Sequence, residues 1–412
     1  MEAAKILSAN SVNVRMEEPA LVTHSGDKAK ITTEYAVSAN TEAGGRYRMP
    51  KIYRMPTGEI GLSFSMSIDG YYDQGRISPF FTSKNDGKTW VTTEWPHPGL
   101  CGIHPTVSPV FDNEYYCIPA RSGIRLDKDK MPAPVGGLDL YLGFDIYRLS
   151  ECPQDIIDWY NHMTAVRWTP KTGWREEPVR YDHEGQLIWA LCDTEMKIPG
   201  IWGQKMFTEH EILRSGNELY YPDYWTLWED NDGNPPKNWE GHLMVSADNA
   251  HSWKRRSRLA RVPIEGLSTC EPVLAFNRAG ELACVMRTQF RRESPSMLLV
   301  HSKDNGYTWS EPKTILGYGV MPQLLQLDNG IMAMSYGRAP GTWLSFSPDG
   351  GYSWTEPLAV LDAESASFPC CGYTSLLALN ADTFLIAYFH GHYKNAGGVD
   401  CKAAFVRQIT AR

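Results

Sequence analysis

Ser302-Lys-Asp-Asn-Gly-Tyr-Thr-Trp309 decides how this chain is read, because its pattern, S-x-D-x-G-x-T-W, returns three more times with small changes. The other copies are Ser83-Lys-Asn-Asp-Gly-Lys-Thr-Trp90, Ser246-Ala-Asp-Asn-Ala-His-Ser-Trp253 and Ser347-Pro-Asp-Gly-Gly-Tyr-Ser-Trp354. A repeat governs the fold before local propensity does. The chemistry is that of a hairpin turn. An Asp or Asn side chain accepts hydrogen bonds from backbone N–H groups two residues on, Gly supplies positive φ, and the closing Ser/Thr-Trp starts the next strand. The Trp brings a large apolar face to bury between neighbouring units. These boxes predict a structural repeat with no catalytic part of its own.

The last three boxes start 56 and 45 residues apart, close to the roughly 40–50 residues of one propeller blade. Residues 91–245, between the first box and the second, are too many for one blade and are expected to hold two or three, or two plus an insertion. Within them, Arg167-Trp-Thr-Pro-Lys-Thr-Gly-Trp174 and a strand pair around 213–228 read as degenerate blade ends. Ile156, Ile157, Tyr160 and Met163 fall on one face of a short helix, which predicts a rim insertion within 121–165. Residues 20–24 and 30–37 alternate as edge strands, and an N-terminal strand that completes the last blade closes the ring without leaving an edge. The fold expected is all-β: a single β-propeller over residues 1–412, counted as six-bladed, with seven blades also compatible.

Composition agrees with many short strands. Of 412 residues 12% are aromatic, with 14 Trp and 21 Tyr, and 35 Gly and 27 Pro supply turns. A formal net charge of −8 gives no global pull toward nucleic acid or anionic membranes, so an anionic ligand must be held by local cations. There is no run of 18 apolar residues, which predicts no membrane insertion, and Met1-Glu-Ala-Ala-Lys-Ile-Leu-Ser8 lacks the apolar core of a signal peptide. A cytoplasmic location is expected, or a secreted or periplasmic one if a signal has been removed. Nine Cys cannot all pair within one chain, so buried free thiols are expected. Cys370-Cys371 has no CxxC or HxxxH companion, and His97, His104, His390 and His392 form no ligand spacing, so neither metal nor cofactor is expected. His390-Gly-His392 on a loop is read as lining a pocket or as plainly exposed, ahead of weak metal binding.

Three arginines end apolar strands in successive repeats: Arg48, Arg287 in Ala283-Cys-Val-Met-Arg-Thr288, and Arg338 in Met332-Ala-Met-Ser-Tyr-Gly-Arg338. In a propeller the inner strand ends converge on the axis, where guanidinium forks can each give a carboxylate two hydrogen bonds. The alternative is that each pairs with a local Asp or Glu at the surface.

Several stretches together resemble the sialidase (neuraminidase) superfamily, whose Asp boxes match the repeat above. Tyr47-Arg-Met-Pro50 is similar to its F/Y-R-I-P motif, ten residues separating Arg48 from Gly58; Arg54, in the competing Tyr53-Arg-Met-Pro56, lies too close to that turn and reads as a strand-end charge. Glu271-Pro-Val-Leu-Ala-Phe-Asn-Arg-Ala-Gly-Glu-Leu-Ala-Cys-Val-Met-Arg287 resembles its E-P, strand, turn, strand, Arg stretch, and Gly372-Tyr-Thr-Ser-Leu-Leu-Ala-Leu379 its nucleophile segment. The resemblance implies Tyr373 as nucleophile, Glu271 as its general base, and Arg48, Arg287 and Arg338 as the clamp on the substrate carboxylate. It implies an acid after the Arg48 blade's second strand, with Asp73 preferred over the Gly-flanked Asp69. The activity implied is retaining release of a terminal sialic acid from a sialylated oligosaccharide or other acidic-sugar glycan, without metal or cofactor. A uronic-acid-directed glycosidase or lyase, or a non-catalytic carbohydrate-binding propeller, keeps the same scaffold.

Overall fold

The box at 302–309 folds as its polar side chains dictate. Ser302 Oγ donates to Asp304 Oδ1 at 2.8 Å and accepts from the Gly306 N–H at 2.8 Å. Asp304 then accepts from the Thr308 N–H at 2.9 Å and the Thr308 hydroxyl at 2.6 Å. The boxes at 246 and 347 repeat this arrangement. The carboxylate thus reaches four residues on, further than the expected two, because consecutive left-handed residues, Asn305 (φ 56°) and Gly306 (φ 82°), wrap the chain around it. Hydrogen bonds from the Thr308 side chain and backbone hold the Asp304 carboxyl down at about 2. A depressed carboxylate stabilises the fold above its ordinary value of 3.8 and loses that contribution as pH falls toward about 2. Asp304→Asn is therefore expected to lower the melting temperature at pH 7 and to flatten its fall between about pH 4 and 2. Parallel melting curves for variant and parent would refute this.

In the computed structural model the described residues are 5–24, 46–67, 78–101, 106–111, 113–119, 124–139, 143–182, 184–191, 201–203, 207–261, 267–290, 296–337, 341–361 and 373–412. They are nearly all β, in antiparallel meanders. One sheet runs Arg46–Arg54, Ile60–Ser67, Phe80–Ser83, Val91–Thr93; a second Leu267–Phe276, Leu282–Phe290, Ser296–Ser302, Lys313–Tyr318; a third Val320–Gln326, Met332–Gly337, Thr342–Ser347, Leu358–Leu361. An eight-stranded sheet consists of two such meanders. One begins with Ser108–Pro109 and ends with Gly173–Tyr181, the other runs from Leu213–Ser215 to Ser252–Arg258, and a short parallel contact, Arg180 to Ser252 and Tyr181 to Trp253, joins them.

The ring closes as expected. Val14–Met16 and Ala20–His24 both pair with the last strand, Asp400–Ala411, alongside Thr383–Lys394 and Ser375–Ala378. Each meander packs face to face on the next, and Leu385, Phe389 and Val406 of the last meet Leu62, Phe64 and Phe81 of the first. Box tryptophans fill these seams: Trp253 packs with Tyr116, and Trp354 with Val273 and Met297, both fully buried. Among the described residues the cysteines are free, five of them buried. The alternating stretch 30–37 and Cys370-Cys371 lie outside the described residues.

The stretch 121–165, expected to hold a rim insertion, shares its strands with later parts of the chain. Ile124–Leu126, Gly136–Asp139 and Gly143–Arg148 form a separate sheet with Gln186–Leu191, Ile201–Gly203 and Leu227–Trp228. The helix Gln154–Asn161 packs on this sheet through buried Ile156 and Tyr160. Met163–Thr169 does not belong to it. Its hairpin with Gly173–Tyr181 returns to pair with Tyr115–Cys117, so the expected boundary at 165 cuts through a strand.

Candidate active site

The first strands of three sheets carry the same irregularity. Met49, Glu271 and Met321 have φ of 53°, 52° and 49°, each stands before a proline, and each lies where the strand slips register against its neighbour. A side chain at positive φ costs on the order of 1–3 kcal/mol, and a residue before proline favours extended backbone, so the surroundings must impose this shape. Such a bulge turns an amide or side chain out of the ladder. Here the Met321 N–H donates to Glu271 Oε2 at 2.7 Å, so one sheet's bulge fixes the carboxylate of the next. These first strands lie side by side: Leu213–Ser215 on Leu267–Phe276, then Val320–Gln326, Ser375–Ala378 and Arg46–Arg54.

Two predicted residues come together there. Arg287 Nε is 3.1 Å from Glu271 Oε2, and both side chains are buried. An Arg287 terminal nitrogen also donates to Cys270 Sγ at 3.2 Å. Burial pushes the Cys270 thiol up to about 11 against the pull of Arg287, so it stays protonated at neutral pH. Tyr373 is half-buried and immediately precedes Ser375–Ala378. The two residues after it are tied to the flanking sheets: Thr374 Oγ1 shares a 2.8 Å hydrogen bond with Ser335 Oγ, and Ser375 Oγ accepts from the Ile52 N–H at 3.2 Å. Arg48 pairs with Ser65 just before the first bulge; its side chain lies outside the described residues, as do Asp69, Asp73 and Arg338 entirely. His390 belongs to the strand Thr383–Lys394, not to a loop; its Nδ1 accepts from the His392 N–H at 3.1 Å, and its ring lies 6.2 Å from Phe405.

Sequence reasoning missed Lys51 and Glu209, which share this end of the ring. Glu209 is 1% exposed, and its Oε2 accepts from the Tyr224 hydroxyl at 2.8 Å and the Trp225 indole N–H at 3.4 Å. Lys51 Nζ and Thr106 Oγ1 both donate to the Glu209 carbonyl oxygen, the latter at 2.8 Å. Burial raises the Glu209 carboxyl above its ordinary range; Lys51 opposes this and Glu271 adds to it. Burial lowers the Lys51 amine to about 8, with Glu209 and Glu271 opposing. The one available signal was a lysine flanked by Pro50 and the apolar Ile52-Tyr53 within a strand. The Glu271–Arg287 pair, the Glu209 carboxyl and the Lys51 amine are thus drawn together from two sheets and from the segment before Leu213–Ser215.

Residues 226–388 match the family model for the BNR repeat-like domain. Over the whole chain the similarities are structural. A crystal structure of a protein of unknown function from Dyadobacter fermentans shares 17% identity over 97% of this chain and 99% of that one, with a TM-score of 0.63. An α-L-arabinanase from Penicillium chrysogenum complexed with arabinobiose shares 12% over 95% and 98%, with a TM-score of 0.52. A Hadza microbial sialidase shares 15% over 90% of this chain and 66% of that one, with a TM-score of 0.52. The fold is propeller-like. No curated protein matches the sequence. At these identities the likeness is one of fold, shared with an arabinanase and a sialidase alike.

Proposed function

We propose that this chain is an exo-acting retaining glycoside hydrolase that releases a terminal sialic acid from glycoconjugates, built on six blades. The blade count takes the two halves of the eight-stranded sheet separately. The observation that carries the activity is the buried Glu271–Arg287 pair, held at a strained bulge by the neighbouring sheet's Met321 amide. In this reading Arg287 joins Arg48 and Arg338 around the substrate carboxylate, whose geometry suits guanidinium forks. A carboxylate on the anomeric carbon repels an anionic nucleophile, which favours a neutral phenol. Tyr373 oxygen attacks that carbon while Glu271 accepts the phenolic proton. Asp73, or Asp69 in its place, protonates the departing glycosidic oxygen, and His390 lines the pocket. Water then attacks the tyrosyl–sugar bond, its proton passes to the acid, and the phenol recovers its own from Glu271.

The experiment is hydrolysis of an aryl α-sialoside, with the first-formed anomer read by proton NMR. Release of the α-anomer is expected. Inactivity on sialosides with an ultraviolet-absorbing unsaturated product from uronate-capped oligosaccharides would assign a lyase, and turnover of an aryl arabinofuranoside alone would assign a neutral-sugar hydrolase.

A further inference from the structure

Two carboxylates and two cations are enclosed together in the candidate site: Lys51, Glu209, Glu271 and Arg287 are 3%, 1%, 6% and 7% exposed. Buried charges in such number persist only when they balance and are hydrogen-bonded. Arg287 is committed to Glu271 at 3.1 Å. Lys51 feels both carboxylates, and its Nζ donates to the Glu209 main-chain carbonyl, tying the strand Arg46–Arg54 to the segment before Leu213–Ser215. We propose that Lys51 is a positioning residue of this site, pinning Glu209 and balancing the Glu209–Glu271 carboxylate pair, so that loss of its charge makes the pair bind a proton at neutral pH.

The titratable groups facing Lys51 from the elements packed around it are Glu209 and His210 before Leu213–Ser215, Cys117 on Tyr115–Cys117, and Glu271 on Leu267–Phe276. His210 carries no compensating charge: burial, then Lys51, holds it well below its ordinary range. Around Glu209, burial and Glu271 both act to protonate the carboxyl, while the Lys51 charge and the Tyr224 and Trp225 donors act to ionise it. With Lys51 gone, two enclosed carboxylates share one guanidinium, and like charges in that setting titrate as a coupled pair that retains a proton. The catalytic consequence rests on the proposed role of Glu271 as base, since to the extent that the shared proton sits on Glu271 that carboxylate cannot accept the phenolic one.

The test is a carboxyl carbon-13 NMR titration of the glutamate-labelled full chain, the two buried signals being identified by their loss in Glu209→Gln and Glu271→Gln. In Lys51→Met the pair is expected to titrate at least about one pH unit higher than in the parent, which corresponds to a tenfold change in proton affinity. Lys51→Arg should keep the parent profile, and Lys51→Met/Glu209→Gln should abolish the shift. An unmoved titration in Lys51→Met overturns the proposal whatever the protein hydrolyses. If Lys51→Met does not fold, Glu209→Gln decides: the remaining member of the pair should titrate at lower pH than in the parent, and an unchanged titration overturns the proposal equally. In activity, the acidic limb of kcat/KM should move up with the titration in Lys51→Met and return in Lys51→Arg. A titration that moves while that limb stays fixed supports the balancing role of Lys51 and assigns the retained proton to Glu209.

Discussion

Glu271→Gln is expected to lower kcat/KM by about 10²–10⁴, the usual contribution of a positioned general base, while leaving the protein folded. Glutamine keeps the shape and can still accept from the Met321 N–H, but it cannot take a proton from a phenol. The site around Glu271 is built to hold one group: φ is 52°, the side chain is buried, and Oε2 meets both Arg287 and the Met321 amide. Met49 and Met321 hold the same conformation before their prolines, so the bulge belongs to the scaffold, and what is particular to Glu271 is the carboxylate it turns to Arg287 and the Met321 amide. Tyr373→Phe removes the partner atom and should be lost to the same extent. Assays on an aryl sialoside distinguish the outcomes: full turnover by Tyr373→Phe with loss in Glu271→Gln removes the nucleophile and keeps the carboxylate as essential.

Arg167→Met is expected to destabilise the protein by about 3–5 kcal/mol, the cost of leaving buried charges without their partner. Arg167 is 1% exposed and satisfies three acceptors: Glu177 at 2.6 Å, Glu114 at 2.7 Å and the Asn249 carbonyl at 2.6 Å, with the Tyr116 ring 5.0 Å from the guanidinium carbon. Methionine fills part of the volume but leaves two carboxylates facing each other with no cation between them. Asn249 is the first of two left-handed residues in the second box, so the loss reaches the seam between the two halves of the eight-stranded sheet. Urea unfolding measures it directly. A midpoint unchanged from the parent would mean that water already compensates both acids.

Much of the scaffold was legible because the boxes advertise themselves. A repeat of eight residues with fixed polar positions predicts its own hydrogen bonds, and the spacing between copies predicts the meanders. Glu271 was legible only through the resemblance of the stretch 271–287 to the sialidase pattern, and Arg287 also as the end of an apolar strand; the structure brings the two to 3.1 Å. Lys51 and Glu209 were not legible. A lysine inside an apolar strand reads as a misplaced surface charge, and Glu209 sits in Phe207-Thr-Glu-His-Glu211, where no repeat or motif marks the axis. The inserted sheet escaped notice because its strands are joined across 186–203 and 227–228, and pairing between distant segments leaves no local periodicity. Arg256, in the basic run Lys254-Arg-Arg256, lies largely buried against Glu218, under an exposed Tyr307. A run of basic residues does not report which of them a neighbouring hairpin covers.

The pairing of Val14–Met16 with Asp400–Ala411 places Asn13 and Arg412 in mutual backbone contact, at 2.7 and 2.8 Å. Nearly the entire polypeptide is therefore the loop that this clasp shuts, and its entropy is charged to the final docking step of assembly. A nascent chain emerging in order can complete every intermediate meander but must wait for Asp400–Ala411 before the circle is sealed. Until then the outer faces of the first and last sheets stay open to water and to other chains.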